Sequence, residues 1–187
     1  MAQQALFLDR DGVINIDFGY VYERSKFVFI DGIFDLVRFA KERNFLIFII
    51  TNQSGIGRGY YTIEEFEALS SWMLAKFKSE GAEIDKLYFS PYHPIQGKGS
   101  FLKDDPSRKP NPGMIVTASS EYTIDLARSV LIGDKVSDIE AGQRAGVGRN
   151  ILLTNLLYYN KYECVSNLKD VLNILAQLSK NYSSSQK

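Results

Sequence analysis

Five short, largely apolar runs, each closing on a polar or turn residue and each parted from the next by a segment of helical period, constrain the fold of this chain most. The runs are Ala5 to Leu8, Leu46 to Ile50, Lys86 to Phe89, Val130 to Ile132 and Asn150 to Leu153. They are rich in branched and aromatic residues and too short for helices, as expected of strands buried in a parallel sheet. Between them, Gly32 to Arg43, Ile63 to Ser79, Gly113 to Tyr122 and Val136 to Ala145 have helical spacing, with a last such segment near Ser166 to Leu178. Thr62 with Glu65 three residues on predicts a capping box, and Asp31 and Asn111 are expected N-caps. Leu69, Trp72, Met73 and Phe77 form an apolar stripe expected to face the core. Strand and helix in alternation predict an α/β fold, a doubly wound and mainly parallel sheet with helices on both faces, whose ligand crevice lies at the carboxyl ends of the strands. The 187 residues, 45% hydrophobic, suit one domain over 1–187. Its polar end NYSSSQK, 181–187, is expected to be a disordered tail.

Four segments place reactive side chains at that crevice. In FLDRDGVI, Asp9 stands at the end of the first strand and Asp11 two positions on, with Gly12 letting the chain turn. Positions two apart share a face of an extended chain, so both carboxylates can enter one crevice, where a cation or a proton must separate them. The second strand ends at Thr51 and opens into TNQSGIGRG, a glycine-bearing loop able to offer hydroxyl and amide donors to phosphate. In SRKPNPG, Arg108 and Lys109 supply two cations for a phosphate dianion. In LIGDKVSDIEAG, Asp134 and Asp138 lie four apart around a helix start, an oxygen-rich pattern suited to magnesium, with Lys135 as a supporting cation beside them. Each segment also has a structural explanation: acidic residues partner helix dipoles, and Asn and Gly populate ordinary turns.

Charge and cysteine content exclude several classes. Lysine plus arginine and aspartate plus glutamate are 22 each, which gives no support to a nucleic-acid or membrane partner. The only cysteine, Cys164, forbids an internal disulfide and a multi-cysteine zinc site. The N-terminus has no basic stretch followed by an apolar one, and no window approaches a membrane span, so a cytoplasmic chain is expected. A small molecule is the expected partner, and a monomer the expected state.

Taken in order, DRDGV, the Thr51 strand end, Lys109 and GDKVSD resemble the four signature motifs of the haloacid dehalogenase superfamily of aspartate-nucleophile phosphohydrolases. FLDRDGVIN, DFGYV, TNQSGIGRGYYT, RKPNPGM and IGDKVSDIEAG are similar to the D-glycero-D-manno-heptose 1,7-bisphosphate phosphatases, relatives of the histidinol-phosphate phosphatases, over roughly residues 5 to 154. The resemblance implies removal of the C7 phosphate of a heptose bisphosphate, in the supply of activated heptose for bacterial surface polysaccharide. It implies Asp9 as the nucleophile that forms an aspartyl-phosphate, and Asp11 as general acid and then base. Mg2+ would be held by Asp9, Asp134 and the backbone carbonyl of Asp11. Thr51 and Lys109 would bind the transferring phosphoryl group, and Asp138 would orient Lys109 or a metal-bound water.

Such enzymes often carry an inserted cap domain, and none is expected here, since the intervals after the first and second motifs hold little beyond loops, one helix and one strand. Selection then falls to the loops Asn15 to Lys26 and Ser90 to Ser107. Arg58 and Arg108 are candidates for the second phosphate or the sugar hydroxyls, and Asn52 and Gln53 for hydrogen bonds to them. Many relatives bind structural zinc in the second loop through three cysteines and a histidine. Here Ser90, Tyr92, Asp105 and Ser107 align with those ligands and His93 is displaced by one position, so no zinc is expected. Prolines, packing of Tyr92 and Phe101, or hydrogen bonds must hold the loop instead. The alternatives are a histidinol-phosphate or other small sugar-phosphate phosphatase and, in a different class, a catalytically silent phosphate-binding protein. A phosphomutase is disfavoured by the missing cap, a dehalogenase by Asp11, and a polynucleotide end-phosphatase by the neutral charge.

Overall fold

In a computed structural model that describes residues 2–155 and 161–184, the five apolar runs are parallel strands. They are β1 (Ala5–Leu8), β2 (Leu46–Asn52), β3 (Lys86–Ser90), β4 (Val130–Gly133) and β5 (Arg149–Leu153), and the short β6 (Glu163–Val165) completes a sheet of order β3-β2-β1-β4-β5-β6. β6 was not expected: its three residues are mostly exposed and carry no apolar run. Helices α1 (Ile33–Lys41), α2 (Ser54–Arg58), α3 (Ile63–Ser79), α4 (Gly113–Tyr122), α5 (Val136–Ala145) and α6 (Leu168–Ser184) provide the crossovers and the end of the chain.

The side-chain period of two sorts the core into two layers. Leu6, Leu8, Ile47, Ile49, Val130 and Ile132 meet α1, α3 and α6 on one face. Ala5, Phe7, Phe48, Ile50 and Leu131 meet α4 and α5 on the other. Of the expected stripe on α3, Leu69, Met73 and Phe77 are buried, while Trp72 is partly buried against Phe27 and Phe29. Thr62 and Glu65 form the capping box: the Glu65 N–H donates to Thr62 Oγ1 at 3.2 Å and the Thr62 N–H to Glu65 Oε2 at 2.7 Å.

Several local expectations need correction. Asp31 does not cap α1, because Gly32 occupies that position with φ 81° and no side-chain cap forms. Pro112 takes the place expected of Asn111, whose amide donates instead to Asp104 and to the carbonyl of Asp105. The glycine-rich stretch after β2 is not an open loop: Ser54–Arg58 winds into a short helix closed by Gly59. The last helix runs to Ser184, into the segment expected to be a tail, and 185–187 lie outside the described residues.

The topology sets the site. β1 is followed in space by β2 on one side and β4 on the other, so the winding reverses at β1 and leaves a crevice at its carboxyl end. Leu8 pairs with both Ile49 and Ile132, so β1 and β4 end nearly level while β2 runs on to Asn52 along one side of the crevice.

Candidate active site

Asp9 is the first residue beyond β1, and its N–H donates to Ile132 O at 3.0 Å. Asp134 is the first beyond β4, so the two carboxylates emerge from adjacent strands. With Asp138, in the first turn of α5, they bring one carboxylate oxygen each to within 4.8 Å of the others.

Lys109 threads into this cluster from the segment before α4. It is buried, and its ammonium lies 2.8 Å from Asp9 Oδ1 and 2.7 Å from Asp138 Oδ1, while donating to Ile50 O at 2.8 Å. The other oxygen of Asp138 accepts the Lys135 N–H at 2.9 Å. Asp138 is thus engaged at both oxygens, as suits a residue that positions Lys109. Asn52 fixes the same lysine from the sheet: its amide oxygen accepts the Lys109 N–H and its amide nitrogen donates to Lys109 O, both at 3.0 Å.

Close approach of backbone explains Gly12. Its φ is 89°, and a Cβ there would lie 2.3 Å from Asp134 Oδ2, so any side chain would both strain the turn and collide with the carboxylate.

The electrostatics call for a cation. Burial raises the pKa of Asp9, opposed by Lys109 and reinforced by Asp138. Burial, then the charge of Asp9, push Asp134 up to about 7. Burial lowers the Lys109 pKa, but Asp138 and Asp9 outweigh it and leave it raised. Lys109, with Lys135 shared between Asp134 and Asp17, does not neutralise three carboxylates, and Asp134 Oδ1 is buried without a hydrogen-bond partner. An acceptor-rich, charge-deficient cluster of hard oxygen ligands fits a small divalent cation such as Mg2+, held by Asp9 and Asp134.

The Asp11 carboxylate does not join that cluster. It faces Arg10, whose Nε and Nη2 donate at 3.2 and 2.8 Å, together with Asn15 Nδ2 at 3.0 Å and Gln53 Nε2 at 3.1 Å. A metal contact by Asp11 would have to come from its backbone. Gln53 also donates to Thr51 Oγ1 at 2.8 Å and accepts the Tyr61 O–H at 2.5 Å. Burial raises the Tyr61 pKa, which keeps the phenol a donor. The polar ends of Asn52 and Gln53 are thus engaged by Lys109, Asp11, Thr51 and Tyr61, while both residues also line the cavity beside them. Arg10, Asn15 and Tyr61 were not anticipated. Arg10 lay in the motif itself, but nothing in its sequence setting announces a buried guanidinium.

A cavity of about 510 Å³ opens over Asp11, Lys109, Arg108, Tyr20 and Lys135. Arg108 donates to Tyr92 O at 2.9 Å, and burial followed by the charge of Arg58 lowers its pKa. Arg58 lies 5.6 Å from the ring centroid of Tyr20, its Nε buried and unpartnered. Lys135 stands at the rim, 3.1 Å from Asp17 and 3.6 Å from Asp134.

The loop from Ser90 to Ser107 is tied by oxygens. Ser107 Oγ lies 3.0 Å from Ser90 Oγ and donates to Asp105 Oδ1 at 2.6 Å, and the Tyr92 and Phe101 rings pack 5.9 Å apart. His93 Nδ1 accepts the N–H groups of Ile95 and Gln96 at 3.2 and 3.0 Å, a structural role.

Comparison with known proteins agrees with this geometry. A HAD-hydrolase-like family model matches residues 106–155. The chain is 54% identical over 153 residues to a D-glycero-alpha-D-manno-heptose-1,7-bisphosphate 7-phosphatase of Burkholderia mallei, covering 82% of this chain and 81% of that protein. It is 42% identical over 181 residues to the protein of the same name from Campylobacter jejuni, covering 95% and 98%. Among solved structures it resembles a D,D-heptose 1,7-bisphosphate phosphatase from B. bronchiseptica complexed with magnesium and phosphate, with a TM-score of 0.79, 25% identity and coverage of 93% and 98%.

Proposed function

Because this chain belongs to the heptose-1,7-bisphosphate 7-phosphatase family of HAD-like hydrolases, we propose that it hydrolyses the C7 phosphate of D-glycero-D-manno-heptose 1,7-bisphosphate through an aspartyl-phosphate on Asp9. The observation that carries the reading is the convergence of Asp9, Lys109, Asp134 and Asp138 at the end of β1, with Asp11 in the cavity wall beside them.

Asp9 attacks phosphorus in line, and the bond from phosphorus to the C7 oxygen breaks as Asp11 delivers a proton to that oxygen. Water then gives its proton to Asp11 and attacks the aspartyl-phosphate, which releases phosphate and restores Asp9. In the position described, Asp11 accepts from three side chains, the arrangement of a base ready for the second half. To act as the acid it must carry a proton and yield one of those donors. Gln53 donates to Thr51 Oγ1, which leaves the threonine hydroxyl proton to point at a phosphoryl oxygen. Lys109, fixed by Asn52 and Asp138, offsets the repulsion between Asp9 and the dianion. Mg2+ bound by Asp9 and Asp134 would add positive charge where the nucleophile and the phosphoryl group meet. Arg58 and Arg108, two cations close enough for the charge of one to lower the pKa of the other, suit the second phosphate.

The loop from Ser90 to Ser107 is read as held by hydroxyl and carboxylate hydrogen bonds without zinc, and stoichiometric zinc in the purified protein would contradict this. The substrate is tested by rates on both anomers of the bisphosphate, on the heptose 1-phosphate and on histidinol phosphate, with and without Mg2+. Fast, Mg2+-dependent release from the bisphosphate alone is expected. Comparable turnover of histidinol phosphate would overturn the assignment.

A further inference from the structure

The wall of the cavity on the side of residues 16–22 is fastened by two charged contacts, both from the motifs that carry the chemistry. At one end Arg10, between Asp9 and Asp11, donates from Nη2 to Val21 O at 2.7 Å. At the other, Asp17 uses both oxygens: Oδ1 accepts the Gly19 N–H at 2.9 Å and Oδ2 accepts Lys135 Nζ at 3.1 Å. The turn so held is not a relaxed one. Gly19 has φ 79° and Tyr20 φ 52°, a left-handed conformation that a tyrosine adopts only under constraint. The constraint places Tyr20 in the cavity wall, edge-on to Tyr60 with ring centroids 4.7 Å apart.

Lys135 is the pivot. Its ammonium stands 3.1 Å from Asp17 and 3.6 Å from Asp134, so one cation is shared between the turn and the carboxylate that is short of partners. A divalent ion at Asp134 repels Lys135 and removes its reason to lean inward. We infer that Asp17 is a positioning residue that captures Lys135 when Asp134 is occupied by a divalent cation, so that cation loading tightens the Gly19–Tyr20 wall and favours capture of the sugar phosphate. The inference rests on the phosphatase reading for its substrate, but its mechanical part does not. The two charges touch no reacting atom, and their effect passes through the shape of the wall.

Hydrogen–deuterium exchange of segment 16–22, with Mg2+ or with EDTA, reads the mechanical part without turnover. In the wild type Mg2+ slows exchange of the Gly19 amide; in Asp17→Asn it does not. Kinetics on the bisphosphate supply the second readout. Side-chain exposures of 31% for Asp17 and 56% for Lys135 make this a modest fastening, so Asp17→Asn raises KM about three- to fivefold while kcat stays within about twofold. In that variant Lys135 stays with Asp134, so the Mg2+ concentration for half-maximal activity rises. Adding Lys135→Met restores the Mg2+ requirement but not KM. Exchange in 16–22 indifferent to Mg2+, or an unchanged KM in Asp17→Asn, overturns the inference. A wild type that releases no phosphate overturns the phosphatase reading and leaves the exchange result standing.

Discussion

Removing the metal should make the stability of this protein fall with rising pH, and the slope should come from the raised carboxyls of Asp9 and Asp134, of which Asp134 is the one under test. Its carboxyl is pushed from the ordinary 3.8 up to about 7 by burial and by Asp9, with the side chain only 19% exposed. A raised carboxyl binds its proton more tightly in the folded than in the unfolded chain, so between pH 4 and 7 the native state carries more protons. The stability this contributes is whole below the unfolded pKa and is lost as pH climbs towards the folded value. Each tenfold difference in proton affinity between the folded and unfolded chain is worth about 1.4 kcal/mol, so the loss is on the order of 4 kcal/mol. For a domain of this size that is a fall in melting temperature of roughly 10 °C. Thermal denaturation in EDTA at intervals from pH 4.5 to 8.5 measures it, with Asp134→Asn as the control. Wild type loses stability over this window, Asp134→Asn loses much less, and added Mg2+ raises the wild-type melting temperature at pH 8 far more than at pH 5. Equal slopes in the two proteins, or the same Mg2+ effect at both pH values, would refute the claim that charge deficiency in this cluster is what recruits the cation.

Lys109→Met leaves Asp9 and Asp138 buried without their cation, and the loss of one partner of a buried ion pair costs about 3–5 kcal/mol, so urea denaturation should show a large drop together with loss of activity. Gly12→Ala forces a Cβ against Asp134 at a positive φ, so calorimetric Mg2+ affinity should fall by about 10–100-fold, as when a metal ligand is displaced from its support. Tyr61→Phe strands Gln53 Oε1 and should cost about 1–3 kcal/mol by chemical denaturation, with a reduced kcat as the Gln53 link between Thr51 and Asp11 loosens.

The strands and long helices were legible in the sequence because apolar period and the Thr62 capping box are local signals. β6 was not, since Glu163, Cys164 and Val165 pair with β5 at the sheet edge without an apolar run of their own. α2 was hidden by Gly55 and Gly57, which read as loop but are buried under neighbouring loops: a Cβ at Gly55 would strike Tyr61, and one at Gly57 the Pro91 carbonyl. The convergence of Asp9 and Asp134 could be read from spacing because strand ends fix their direction. The use of Asn52 and Gln53 could not be read, because an amide at a strand end serves a substrate or a neighbour equally well until its partners are in place. Arg10 was overlooked for the same reason: the clamp on Asp11 needs Val21 and the ring of Phe66, 5.8 Å away, to make burial of a guanidinium tolerable.

The account rests on covalent chemistry at one carboxylate, and trapping tests it directly. The protein, mixed with Mg2+ and bisphosphate, is acid-quenched during the first turnover, treated with tritiated borohydride, which expels the phosphate as it reduces the acyl carbon, and digested for mass spectrometry. Tritium in the peptide that contains Asp9, with reduction of residue 9 to homoserine and neither signal in Asp9→Asn, is the predicted result. Release of phosphate at the normal rate by Asp9→Asn, or tritium on another residue, would contradict it.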